Sequence, residues 1–331
     1  MIIGGLTHDK RAPGPERTRP GWVDRARTRV RFDVGLVAAV LTAASFGTSG
    51  PFAKSLLATG WTSGAIVLLR VGIAALVLIG PALVALRGRW GLVRSEIGVI
   101  LAYGLVAVAG SQVAYFNAVQ YLSVGVALLL EYCGTILVVL WVWLRTRRAP
   151  SQVTWLGIAF AVAGLALVLD VTGQARPDGV GVFWGLLAAV GLAVFFVTAA
   201  HDTPGLPPVV VAALGMVVGA VALAVAGLVR LVPMTFRTAD VRMGGANLPW
   251  WLAVGELAII AAAAAYLLGT FAARRLGSTV SSFVGLSEVL FAIVFAWLLL
   301  GELPRAIQLV GGVLIVGGVV TVRAGELRRD R

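Results

Sequence analysis

Residues 143–164 read WLRTRRAPSQVTWLGIAFAVAG, and residues 297–318 read WLLLGELPRAIQLVGGVLIVGG. At an offset of 154 the two match without a gap: Trp143 falls on Trp297, Pro150 on Pro304, Gly157 on Gly311 and Gly164 on Gly318. Upstream, Leu122 falls on Leu276 in the same register. Apolar coincidences are cheap in this chain, but only 10 Trp and 13 Pro occur in 331 residues, so these carry the match. The repeated unit is a long apolar segment, a short turn holding a proline, and a second apolar segment with small residues at fixed spacing. It marks an internal duplication.

The composition says what surrounds the two copies. Hydrophobic residues make up 59% of the chain and charged residues 13%, with a mean hydropathy of +0.95. Soluble domains lie nearer half apolar and a quarter charged, so the chain belongs to the membrane class. A spanning helix needs about 20 apolar residues. Ten such stretches can be drawn, near 33–53, 62–85, 96–116, 122–143, 152–172, 179–199, 208–231, 250–270, 277–299 and 305–323. The sequence therefore predicts an all-α integral membrane protein of ten transmembrane helices, five in each copy. The copies span 32–173 and 178–324, between a disordered basic tail at 1–31 and a short tail at 325–331.

An odd number of helices per copy turns the second copy upside down, and the loop charges agree. Arg147 and Arg148 correspond to Gly301 and Glu302, while Gln120 and Tyr121 correspond to Arg274 and Arg275. With a cytoplasmic N-terminus, 20 of the 27 Lys and Arg fall on the inner side. The positive-inside rule then places both termini in the cytoplasm. The net charge of +12 is thus a topology signal, and no nucleic-acid partner is implied. Inverted repeats are a common plan of secondary transporters, with the substrate site between the halves near the midplane.

Trp61, Trp90, Trp155, Trp250 and Trp251 fall at helix ends, where amphipathic rings sit among headgroups. Gly215 and Gly219 form a GxxxG packing motif, and Gly311 and Gly318 share a helix face. Residues 232–249 form the one long loop, read as a connection on the outer side. His8, His201 and Cys133 are too few for a zinc site, and no cofactor is implied. No GxxxxGK[ST] motif occurs, so energy must come from a gradient. No nucleophile-and-base constellation supports an enzyme. The partners implied are lipid and a small-molecule substrate.

Four ionisable residues lie well inside the apolar stretches: Arg70, Glu131, Glu256 and Glu288. Each costs at least about 2.5 kcal/mol at a helix centre on insertion scales, which disfavours lipid-facing positions. Arg70 and Glu131 each lie about nine residues below the outer end of their helices, roughly 13 Å at 1.5 Å per residue, so a pair between them is geometrically possible. Glu131 corresponds to Gly285, one helical turn from Glu288, so each half offers one carboxylate to a central cavity. These acids are candidates for proton coupling or for holding a substrate ammonium, and Arg70 for holding a carboxylate. A purely structural pair is the competing reading. Lys54 and Glu256 lie nearer the outer end, at a possible cavity mouth. His201 and Asp202 read as a solvated pair, and Glu302 as part of a tight turn.

The segments IVLLRVGIAALVL (66–78), LLLEYCG (128–134) and LSEVLFAIVFAWLLLGE (286–302) resemble EamA-type permeases of the drug/metabolite transporter superfamily. PFAKSLLATG (51–60), with Lys54, Arg70 and Glu131, resembles the threonine/homoserine exporter branch in particular. The resemblance implies a bacterial inner-membrane protein that exports amino acids or similar small metabolites, with Arg70, Glu131 and Glu288 in its cavity. Two prolines usual in that family are replaced, by Thr135 in helix 4 and by Val289 in helix 9. A proline kinks its helix and can shape a transport site. The expected function is secondary export by alternating access; another drug/metabolite cargo, a channel or a non-transporting sensor stays open as the alternative.

Overall fold

A computed structural model describes residues 22–122, 124–147, 149–168, 178–201, 204–300 and 306–329. In chain order the first half comprises α1 (Trp22–Ala58), α2 (Ser63–Leu86), α3 (Trp90–Ser95) and α4 (Ile97–Ala102). A π-helical segment, Tyr103–Gly110, joins α4 to α5 (Ser111–Tyr121). Then come α6 (Val124–Tyr132), α7 (Gly134–Thr146) and α8 (Gln152–Val168). The second half opens with α9 (Gly179–Ala199) and α10 (Pro208–Leu228), followed by a hairpin of β1 (Val241–Met243) and β2 (Ala246–Leu248). It continues with α11 (Trp250–Ala258), a second π segment (Ile259–Ala264), α12 (Ala265–Gly285), α13 (Ser287–Leu300) and α14 (Ala306–Arg329).

Ten long continuous spans are not confirmed among the described residues. Six helices are long and apolar enough to cross a membrane among the described residues, and α8, α13 and α14 offer shorter apolar stretches. The reason lies in broken helices. The expected fourth helix breaks at Cys133, between α6 and α7, and the expected ninth breaks at Leu286, between α12 and α13. Within α12 the backbone leaves the helical region at Gly277, whose φ of 79° suits glycine, so the expected eighth and ninth helices are two helices that meet there. At the chain ends, α1 starts at Trp22, inside the stretch read as tail, and no proline lies between Pro20 and Pro51 to stop it. Likewise α14 runs on to Arg329. Residues 1–21, Asp202 and Glu302 lie outside the described residues.

The repeat-matched glycines meet one another. A Cβ on Gly164 would stand 2.6 Å from the Gly311 carbonyl oxygen, and one on Gly318 would stand 2.7 Å from that of Gly157. Gly157 is thus opposite Gly318 and Gly164 opposite Gly311, so α8 and α14 pack antiparallel, as inverted copies require. Lipid supplies no hydrophobic drive between helices, and close backbone approach through small residues takes its place. Elsewhere the halves exchange helices: α1 packs on α12 and α13, while α9 packs on α5, α6 and α7. The GxxxG pair Gly215 and Gly219 seats α10 against Tyr103 and Gly104 of the first π segment. Outward-facing side chains such as Leu76, Val84 and Val313 are exposed along the outer surface, as a lipid-facing wall would have them.

The long 232–249 loop is more than a connection. Its Gly244–Gly245 pair takes positive φ at both positions, the requirement of a two-residue hairpin turn, and pairs Val241 with Leu248 and Met243 with Ala246. The segment is clasped to the α1–α2 turn: Thr62 Oγ1 donates to the Pro233 carbonyl at 2.8 Å and accepts from the Thr235 N–H at 2.9 Å. Trp61 is buried beneath it, 5.7 Å from Phe236 and 5.9 Å from Trp250 between ring centroids. The expectation of an interfacial ring fails at Trp61, because the hairpin covers it. Trp90, Trp155 and Trp251 remain exposed.

Candidate functional site

The broken helices carry the acids. Glu131 sits two residues before the break at Cys133, and Glu288 two residues after the break at Leu286. Neither break has a proline. In their place a hydroxyl caps the freed backbone: Thr135 Oγ1 donates to the Tyr132 carbonyl at 2.8 Å, and Ser287 Oγ donates to the Val284 carbonyl at 2.6 Å. The two replaced family prolines therefore do not straighten the helices. Thr135 is the second residue of α7, where a backbone N–H has no intrahelical acceptor. Proline fits such a position. We expect Thr135→Pro to fold, with a loss of about 1 kcal/mol in detergent because the hydroxyl bond to the Tyr132 carbonyl goes with the threonine. Val289→Pro should lose about 1 kcal/mol, because the Val289 N–H bonds the Leu286 carbonyl at 3.2 Å.

Both acids border one cavity of about 60 Å³ between the halves, lined from α1, α2, the first π segment, α5, α6, α9, α12 and α13. No described residue of α8 or α14 lines it; those two helices pack on each other instead. Arg70, 2% exposed, borders the same cavity. The expected Arg70–Glu131 ion pair does not form among the described residues. Nη1 of Arg70 donates to Gln112 Oε1 at 2.8 Å, and Nη2 donates to the Ala261 carbonyl at 2.6 Å. Ala261 lies in the second π segment, and such a bulge leaves carbonyls without their usual helical partner. Arg70 thereby bridges the two halves, and its Nε stays buried without a partner.

Glu131, 9% exposed, accepts from Ser111 Oγ at 3.4 Å and feels the charges of Glu288 and Arg70. Glu288 interacts with Tyr132, whose hydroxyl donates to the Gly285 carbonyl at 3.2 Å. Gln112 passes the network on from Arg70, its Nε2 donating to the Tyr266 hydroxyl at 3.3 Å. The two remaining candidates fall at the edge. Lys54 is exposed and lines a second cavity that shares Phe46, Ser49, Tyr115 and Glu288 with the first. Glu256 does not line either cavity; Thr48 Oγ1 donates to its Oε1. The main cavity thus continues along α1 toward the end of α1 that the hairpin covers.

A cluster of rings forms part of the cavity wall. Tyr266 stands 5.1 Å from Phe46 and 5.4 Å from Phe195, and Tyr103 lies 5.8 Å from Phe195. Tyr103 and Thr270 share a buried hydroxyl–hydroxyl hydrogen bond of 2.9 Å. Gly269 and Gly285 leave room for Phe195 and Phe196, whose Cζ atoms would each lie 3.0 Å from a Cβ there. Elsewhere, Nε2 of His201 is 3.2 Å from Glu96 Oε2, so His201 is paired rather than simply solvated. Sequence reading missed the ring cluster, the two π segments and the hairpin. The Gly244–Gly245 pair was the available signal for the last. The rings and π segments have none, since aromatic and apolar residues occur throughout.

Comparison with known proteins now bears on the same geometry. The model of the EamA-like transporter family matches twice, over residues 33–170 and 179–324. The chain belongs to the EamA-like transporter family. Two EamA copies flank the cavity, Arg70 and Glu131 belonging to the first and Glu288 to the second. One solved structure, described as a crystal structure of a protein, superposes with a TM-score of 0.66 at 19% identity. It covers 88% of this chain and 97% of the other, which fixes the fold and not the cargo. A comparison with curated proteins gives no match. EamA membership together with the six long apolar helices makes this a multi-pass membrane transporter of the drug/metabolite type.

Proposed function

We propose that the chain exports amino acids or similar small metabolites across a bacterial inner membrane by alternating access. Both termini lie in the cytoplasm, and Arg70, Glu131 and Glu288 form the substrate-binding and coupling site. The observation that carries this reading is a cavity between two inverted EamA copies that holds a guanidinium and two carboxylates. These are the groups that meet the carboxylate and ammonium of an amino acid. The resemblance of the sequence to the threonine/homoserine exporter branch at Lys54, Arg70 and Glu131 favours an amino acid over other drug-type cargo. Continuation of the cavity along α1 fits one end state of a rocking cycle.

Proton coupling would run through Glu131 or Glu288, since a carboxylate held away from water can take up and release a proton near neutral pH. The test is transport in liposomes by the purified chain. Saturable uptake with counterflow is expected; linear, non-exchanging flux would instead mark a pore. Glu131→Gln and Glu288→Gln should each cut uptake, and at least one should flatten its pH dependence. Unchanged pH dependence in both would remove proton coupling.

A further inference from the structure

Several buried hydroxyls on the helices give their proton to their own backbone. Thr42 donates to the Ala38 carbonyl at 2.8 Å, Ser55 to that of Pro51 at 3.0 Å, Thr270 to that of Tyr266 at 2.8 Å and Ser282 to that of Thr279 at 2.8 Å. Ser281, 3% exposed, departs from this habit: its Oγ has no partner among the described residues. The backbone explains the difference. The carbonyl four residues back belongs to Gly277, whose φ of 79° and ψ of 165° turn it out of the helix. A buried hydroxyl left unpaired costs about 1–3 kcal/mol. Alanine would fill the same space without that cost, so packing does not account for the hydroxyl. Ser281 borders the same cavity as Arg70.

The two lie toward opposite ends of it. Helix α1 lines the cavity from Ala39 to Ser49, roughly 15 Å of helix. Toward Ser49, the Arg70 guanidinium lies 5.9 Å from the Phe46 ring centroid. Toward Ala39, that residue is buried with Ala272 and with Val280 and Val284, which flank Ser281 on α12. Helices α12 and α13 give the same order, Ser281 and Glu288 standing roughly 10 Å apart along the axis. Around the Ser281 end the described lining is Ala39, Thr42, Gly269 and Ala272, none of them charged.

Resting on the transport reading above, we propose that Ser281 binds the far end of the cargo, and that this cargo is an amino acid whose side chain is extended, uncharged and ends in an amide. The ammonium and carboxylate belong at the acids and at Arg70, whose Nε is also buried without a partner. An apolar side-chain end would leave the Ser281 hydroxyl unpaired. A charged end would be buried among uncharged groups. A hydroxyl on the β-carbon stops short of a group roughly 10 Å along the cavity from Glu288. A terminal amide reaches further and offers both a donor and an acceptor.

The test is counterflow in liposomes with radiolabelled glutamine and, separately, radiolabelled methionine, each competed by glutamine, methionine, threonine and glutamate. Methionine matches glutamine in length but lacks the amide. Glutamine is expected to compete about tenfold better than any of the other three. In Ser281→Ala, glutamine and methionine should compete equally, whereas a merely structural serine would weaken both and keep their ratio. Without cargo, Ser281→Ala should melt no lower than the wild type, because its hydroxyl has no bond to lose. Equal competition by glutamine and methionine in the wild type, or threonine outcompeting glutamine, overturns the assignment and leaves amino-acid export standing. A glutamine preference that persists in folded Ser281→Ala, or a lowered melting temperature in that variant, overturns the role of Ser281. No exchange of any amino acid by folded protein overturns both readings.

Discussion

Gly164→Leu is expected to leave almost no monodisperse protein after detergent extraction, whereas Gly317→Leu should be recovered like the wild type. A Cβ on Gly164 would stand 2.6 Å from the Gly311 carbonyl and 2.7 Å from the Ile315 nitrogen. Both are backbone atoms, so relief requires moving α14 as a whole. Adding bulk to a filled contact costs typically 1–3 kcal/mol, and a side chain driven into backbone belongs at or above about 3 kcal/mol. Gly317 is exposed on α14 and nothing stands within 4 Å of a Cβ placed there, so its substitution should stay within about 0.5 kcal/mol. The comparison holds helix propensity nearly constant, since both are interior helical glycines. Equal recovery of the two variants would mean that α8 and α14 do not meet through their glycines.

Arg70→Ala is expected to abolish transport and to lower stability by roughly 3–5 kcal/mol, the usual penalty for removing one member of a buried charged cluster. The substitution strips partners from Gln112 Oε1 and the Ala261 carbonyl and leaves Glu131 and Glu288 facing one another without a cation. Arg70→Lys restores the charge but not the planar fork that reaches two acceptors at once, so it should recover part of the melting temperature and little of the transport. Melting curves in detergent and counterflow in liposomes separate the two effects. A wild-type melting temperature in Arg70→Ala would show that the bridge between the halves carries no strength.

Some of this site could be read before any coordinates. Glu131 and Glu288 stand out because a carboxylate in an apolar run has few tolerable surroundings, so type and position alone assign them to the interior. Arg70 follows by the same reasoning, but its partner does not. Depth allowed a bond to Glu131, yet the guanidinium binds Gln112 and Ala261, the latter through a π segment in the other half. A π segment leaves little trace in a stretch such as IIAAAA, where every residue is compatible with an ordinary helix. The helix breaks were hidden for a related reason. Without their prolines, the fourth and ninth helices look continuous, and the hydroxyls of Thr135 and Ser287 show their role only beside the carbonyls they cap.

The amino-acid sequence alone determined the membrane class, the duplication and the opposed orientation of the copies, because hydropathy, a shared Trp–Pro–Gly register and loop charge are all local or periodic quantities. It also supplied the acids and the arginine. Tertiary packing decided which glycines touch, which oxygens hold Arg70, and that the long loop folds over Trp61 as a hairpin. Those outcomes depend on how residues far apart along the chain are brought within a few ångströms. In lipid that proximity follows from shape and hydrogen bonding rather than from hydrophobic pattern, which is why the pattern could not announce it.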